Sequence, residues 1–196
     1  MKNMNKYIGR LIIFSLMASL SSCVNFKPGW GAFNEKNNSE NVAELLAEAY
    51  EIESTAGTAE RLQLLIDAFK KVEQADPNNY EALWNIGNYN ILMGAAYANK
   101  VKDKKTYYRE AIKYCEKAMS VNEDFSNELN NVDEVPNAFD KLSINEVDAM
   151  GNWYTARFYY FKECLKPLGR LMNTDIIIEN NAMIQRIDEL DSTWFG

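Results

Sequence analysis

Almost every stretch after residue 41 repeats its apolar side chains at three- and four-residue intervals, the period of an amphipathic helix. That rhythm restricts the chain to an all-α fold in which helices bury one another's stripes. Val42, Leu45, Leu46, Ala49, Tyr50 and Glu53 form nearly one clean stripe over 41–54. A break at "STAG", residues 54–57, is followed by Thr58, which suits the cap of a second helix through Ala75. Leu62, Leu65, Ile66, Phe69 and Val72 are its expected core face. Pro77 stops it. Asn78 then supplies an N-cap, with Glu81 three residues on, for a third helix over 79–99.

That third helix contains "DPNNYEALWNIGNYNILMG", in which Gly87 and Gly94 each cost roughly 1 kcal/mol relative to alanine. The stretch resembles the tetratricopeptide repeat, where one helix closes at Asp-Pro and the next carries a large residue, Leu-Gly and a second small residue. Ile86-Gly87 and Gly94 fall on those positions, and "YYREAIKYCEKAMSVNEDF", residues 107–125, matches the second helix with Ala111 and Ala118 small. Small residues at the crossing let two helix backbones approach, which offsets the glycine penalty. From Pro77 to Glu123 the unit spans 46 residues, against a period of about 34. The excess of about 12 falls on "AAYANKVKDKKT". An acidic, asparagine-rich connection over 122–142 reads as a long loop. Ser143 and Glu146 then form a second capping box, opening a helix to about Lys166 that ends at Pro167, and a last helix covers roughly 177–190. The expected architecture is a short α-solenoid of three stacked, tetratricopeptide-like helical hairpins over 42–196.

The N-terminus reads differently. Lys2, Lys6 and Arg10 precede the apolar run "LIIFSLMASL", which is too short to span a bilayer but suits a signal peptide. "LSSC" follows and looks like a bacterial lipobox, which makes residues 1–22 a lipoprotein signal peptide and Cys23 the lipid attachment site. An ordinary secretory signal is the alternative. Val24 after the cysteine favours the outer membrane. Residues 23–41 carry Pro, Gly and Asn with little periodicity and read as a tether.

Removing residues 1–22 takes away three positive charges and no negative ones, so the formal charge goes from −7 to −10. So acidic a chain argues against nucleic acid and against an anionic membrane surface as partners. There is no histidine, which excludes Ser-His-Asp and Cys-His catalysis and zinc sites built on imidazole. No dinucleotide or P-loop pattern occurs, so no metal and no cofactor is expected. Cys115 and Cys164 sit in apolar helical surroundings and read as buried free thiols, oxidation being open to an exported chain.

The helix 143–166 is aromatic around most of its circumference: Trp153, Tyr154, Phe158, Tyr159, Tyr160 and Phe161. Such a helix is either packed on all sides or lines an apolar cleft with one face, tyrosine hydroxyls supplying polar handles. Trp84, Asn88 and Ile91 take positions that face the concave side in tetratricopeptide folds, with plain core as the alternative for each. Arg157 is the one cation in the aromatic run; it suits a carboxylate ligand or an internal Asp or Glu. Trp84, Asn88, Ile91, Trp153, Tyr154 and Arg157 are therefore the candidate ligand- or partner-binding residues.

Taken together, Ala96-Tyr97-Ala98, the helix 107–119, Trp153-Tyr154-Thr155-Ala156 and the closing "MIQRIDELDSTWFG" resemble the TRAP transporter T-component family of periplasmic lipoproteins. The resemblance implies an accessory protein rather than an enzyme, anchored on the periplasmic side of a bacterial envelope. It implies a transporter's substrate-binding subunit as partner, an apolar cleft for a small ligand, and self-association into a homo-oligomer. A generic tetratricopeptide lipoprotein scaffold for envelope complexes is the alternative. An enzyme resting on paired carboxylates is the third reading.

Overall fold

The computed structural model describes Trp30 and residues 41–194, and among these every regular element is helical. The leader, Cys23 and all of the tether except Trp30 lie outside the described residues. Helices α1 (Val42–Glu53) and α2 (Ala59–Ala75) form the first hairpin. The second is α3 (Tyr80–Leu92), extended by a π-helical turn over Met93–Tyr97, and α4 (Val101–Ser120). The third is α6 (Val147–Tyr159), which also ends in a π-helical turn, Tyr160–Cys164, and α8 (Asp175–Leu190). Between hairpins two and three lie α5 (Glu123–Glu128) and 3₁₀ turns over Val135–Lys141 and Ile144–Glu146; α7 (Pro167–Leu171) joins α6 to α8. Each hairpin's helices pack on each other, α2 packs on α3, and α4 and α3 both pack on α6, so the hairpins stack as the periodicity implied.

Local chemistry sets the boundaries. Thr58 caps α2 by accepting from the Arg61 N–H. The cap of α3 is Asn79, not Asn78: its side chain accepts from the Ala82 N–H at 2.9 Å, while the Asn78 N–H donates to the Asp76 carboxylate at 3.2 Å. Ser143 and Glu146 form the expected box, with the Ser143 N–H 2.8 Å from the Glu146 carboxylate. The insert of the second hairpin is mostly helix, because α4 begins at Val101 rather than near Tyr107. Lys104 pairs with Glu163 at 2.7 Å and Tyr108 donates to the same carboxylate at 3.0 Å, so the polar extension is held by the π turn of α6. Nor is 122–142 an open loop: Phe125, Ala138, Phe139 and Leu142 are all buried. Burying a large apolar side chain contributes roughly 1.5–3 kcal/mol, enough to hold short irregular elements in place.

Gly87 and Gly94 mark close approaches, as expected, and Gly151 marks a further one, but they are of two kinds. A Cβ on Gly87 would lie 2.5 Å from the Cys115 sulfur and 3.3 Å from the Ala111 carbonyl oxygen, at the α3–α4 crossing. Gly94 and Gly151 instead make room for rings, those of Tyr108 and Trp194. Gly87→Leu should therefore overpack the crossing and cost about 1–3 kcal/mol. In Gly87→Ala the sulfur is the closest obstacle, so Cys115→Ala should recover part of the loss. Thermal melts of the two single variants and the double variant check this; a stabilising Gly87→Leu would place the residue on a free surface instead.

Cys115 is buried and Cys164 half-buried, both as free thiols. Burial pushes the Cys115 thiol well up, and pushes Cys164 up to about 11, so neither is a ready thiolate at neutral pH.

Candidate functional site

The six candidate residues divide by helical face. On α6, Trp153 and Arg157 are four residues apart and point inward, 0% and 4% exposed. The Trp153 indole N–H donates to the Glu116 carboxylate at 3.0 Å, and Glu116 is itself 0% exposed. The Arg157 guanidinium stands over the Trp153 ring, 4.1 Å from its centroid, a cation–π contact in a desolvated setting. Its Nε donates to Asn180 Oδ1 at 3.1 Å, and its Nη2 pairs with Glu179. Asn180 in turn donates to the Tyr154 carbonyl at 3.3 Å. One polar network thus ties α6 to α4 through Glu116 and to α8 through Glu179 and Asn180.

Burial shapes the electrostatics here. Desolvation lowers the Arg157 pKa below its ordinary value, opposed by the charges of Glu179 and Glu116. It raises that of Glu179, opposed by Arg157. Each ion favours the other's charged form; the guanidinium is buried, while the Glu179 side chain keeps 23% of its surface in solvent. Among the described residues every buried side-chain nitrogen or oxygen has a hydrogen-bond partner. The role of Arg157 as anchor for an external carboxylate is therefore taken by Glu179 of the same chain.

Aromatic rings close around the same indole. Trp30 sits edge-on to Phe125 at 5.5 Å and 5.9 Å from Trp153, and Phe139 lies edge-on to Trp153 at 5.9 Å. So Trp30, which falls within the stretch read as a tether, belongs to the Trp153 cluster. Ile91 is also interior, 5% exposed.

Trp84, Asn88 and Tyr154 reach the surface instead, each half-buried. On α3, Trp84 and Asn88 continue a stripe from exposed Glu81 to Leu92, which is 43% exposed. On α6, Tyr154 stacks on Phe158 at 6.2 Å, and Phe158 is itself 43% exposed. Two wider clefts lie elsewhere. One of about 560 Å³ is polar, with Asp76, Glu123 and Asn127 in its walls; another of about 350 Å³ lies between Tyr97 and Tyr107. Neither is lined by any of the six.

Sequence reading missed Glu116, Leu92 and Trp30. Glu116 had a visible signal: it stands four residues after Ile112 and three before Met119, on the buried face of α4. No group of three or more Asp, Glu and Cys residues that could hold a metal occurs among the described residues.

Comparison with known proteins places this geometry in a family. The family model described as plant specific mitochondrial import receptor subunit TOM20 matches residues 33–159, more than half of the chain. No curated protein matches, and no solved structure does. The match overturns the resemblance to the TRAP transporter T-component family. With it fall the periplasmic accessory role, the substrate-binding subunit as partner and the bacterial envelope location, together with the alternative of an envelope lipoprotein scaffold.

Proposed function

Because the chain belongs to the plant specific mitochondrial import receptor subunit TOM20 family, we propose that it is a non-catalytic receptor module that holds a cationic, amphipathic segment of another polypeptide. The segment lies along the exposed faces of α3 and α6. The observation that carries this reading is the Trp84–Asn88–Leu92 stripe, a half-buried indole and an exposed leucine on one helix. Helical ligands are commonly held this way, with apolar anchors repeating at i, i+3, i+4 and i+7 against an apolar strip. Tryptophan is the side chain most often found at the energetic centre of such contacts.

The charge of the ligand follows from the surroundings. Glu44 and Glu51 on α1, Glu81 on α3 and Asp148 on α6 are exposed, Glu81 also accepting from Tyr50, while Glu48 is paired with Lys71. Lysines or arginines on the polar face of the ligand would meet these carboxylates, speeding encounter and setting orientation.

The test is a titration by fluorescence anisotropy with a labelled synthetic amphipathic helix bearing Lys and Arg on its polar face. A counterpart with Glu at those positions is the control. The cationic peptide should bind and the acidic one should not, and salt should weaken the binding. Trp84→Ala should weaken it by about tenfold or more, the loss typical of a central aromatic anchor. Equal binding of the two peptides, or unchanged affinity in Trp84→Ala, would overturn the proposal.

A further inference from the structure

The net negative charge conceals a strongly polarised molecule. Residues 41–194 contain 16 Lys and Arg against 26 Asp and Glu. Eight of those cations fall in two short segments, 100–109 and 162–170, with only Asp103 and Glu163 among them. These segments are distant in sequence and adjacent in space. Lys104 pairs with Glu163, Lys105 lies 5.9 Å from the Tyr160 ring centroid, and the Tyr108 and Tyr159 rings stack at 5.6 Å. Arg170 donates to the carbonyl oxygens of Phe161, Lys162 and Leu165, which closes the π turn of α6 and fixes α7 against it.

The same end carries apolar side chains that the fold leaves in solvent. On and just after α7, Leu168, Leu171 and Met172 are 56%, 72% and 53% exposed. Val101, at the start of α4, is 55% exposed. Lys100, Lys102 and Lys166, all exposed, flank them in sequence. Protruding apolar tips rimmed by ammonium groups are the composition of a surface that inserts shallowly among lipid headgroups, with anionic lipids meeting the cations.

We propose that this basic, apolar-tipped end, formed by the start of α4, the π turn of α6 and α7, docks on an anionic lipid surface. The occupant is a membrane rather than an acidic polypeptide because the apolar side chains stand outward from a five-residue helix instead of lining a groove. No helix among the described residues is long and apolar enough to cross a membrane, so the contact is peripheral. Net charge averages this basic end with an acidic remainder.

The experiment is co-sedimentation of the full chain with vesicles of phosphatidylcholine alone, and of phosphatidylcholine with about one third phosphatidylglycerol, at low and high salt. The apolar run near the N-terminus is present in every variant, so the readout is the preference for anionic vesicles. The wild-type chain should prefer them by about tenfold or more at low salt and lose the preference at high salt. Lys100→Glu with Lys102→Glu and Lys166→Glu should abolish the preference. Leu171→Ser with Met172→Ser should weaken anionic binding several-fold while leaving the salt dependence in place. These side chains are exposed, so the helical circular dichroism should be unchanged, and so should cationic-peptide binding at the Trp84 stripe. The proposal is overturned by equal binding to both vesicle types, by a preference that survives the charge reversal, or by capture of polyglutamate without vesicle binding. Failure of peptide binding would count against the receptor reading and leave this one standing.

Discussion

Arg157→Met should lower the stability of the domain by about 3 kcal/mol, the lower end of the loss on removing one partner of a buried ion pair, because the Glu179 side chain keeps 23% of its surface in solvent. The guanidinium is 4% exposed and serves three elements at once. It covers the Trp153 ring, bonds Asn180 and neutralises Glu179, with the buried charge of Glu116 close enough to favour its ionised form. Methionine replaces some of the packing and none of the charge. Glu116 is 0% exposed and keeps the Trp153 indole as a partner, but it loses the favourable cation. Adding Glu116→Gln retains an acceptor for the indole and removes the uncompensated charge, so the double variant should be more stable than Arg157→Met alone. Chemical denaturation of the two single variants and the double variant measures this coupling. A loss below about 1 kcal/mol for Arg157→Met would mean that the network does not anchor α6.

The helices were legible because amphipathic period, capping side chains and proline stops are local signals. Thr58, Ser143 and Glu146 act where the sequence placed them. Most errors arose where the deciding contact is distant. The first turns of α4, "VKDKK", carry little apolar pattern, and what holds them is Glu163, about 60 residues away. Asn78 and Asn79 are chemically equal as caps. The choice falls to Asn79 because Asp76 draws the Asn78 N–H into the preceding turn. The connection 122–142 lacked a period because its elements are too short to show one. Its burial depends on Phe125 and Phe139 meeting Trp30 and Trp153.

The site was legible to a lesser degree, for a related reason. An aromatic run that covers a whole helix circumference does not say which face is turned inward. In α6 that choice is made by Glu116 of α4 and Glu179 of α8, which draw Trp153 and Arg157 into the interior and leave Tyr154 and Phe158 outside. On α3 the same logic separates Ile91 from Trp84 and Asn88. Net charge carries no information on how the cations at the start of α4 come to lie beside the π turn of α6.

Raising the pH above about 10, the ordinary tyrosine range, should unfold the domain steeply. Four tyrosines tie helices together by donating to a carboxylate: Tyr50 to Glu81, Tyr89 to Glu53, Tyr108 to Glu163 and Tyr114 to Glu73. Burial, reinforced by those carboxylates, raises the pKa of each above its ordinary value, and burial raises Tyr80 and Cys115 likewise. The sign follows from which state loses its proton first. Below the ordinary range both states are protonated and the stabilisation is fully present. Above it the unfolded chain ionises while the folded chain holds its protons, so the balance moves toward unfolding until the folded pKa is reached. Each group that titrates only in the unfolded chain contributes about 1.4 kcal/mol per pH unit. Two such groups, Tyr80 and Tyr114, already give roughly 3 kcal/mol per unit, against a typical domain stability of about 5–15 kcal/mol. Tyr50 is more open to solvent and adds less. Denaturant midpoints measured from pH 8 to pH 11 should fall with increasing slope. Tyr114→Phe should cost about 0.5–1.5 kcal/mol at neutral pH through the lost bond to Glu73 and yet flatten the alkaline decline. Stability that stays constant through pH 11, or a slope unchanged by the phenylalanine variant, would show that the tyrosine–carboxylate bonds do not hold the hairpins together.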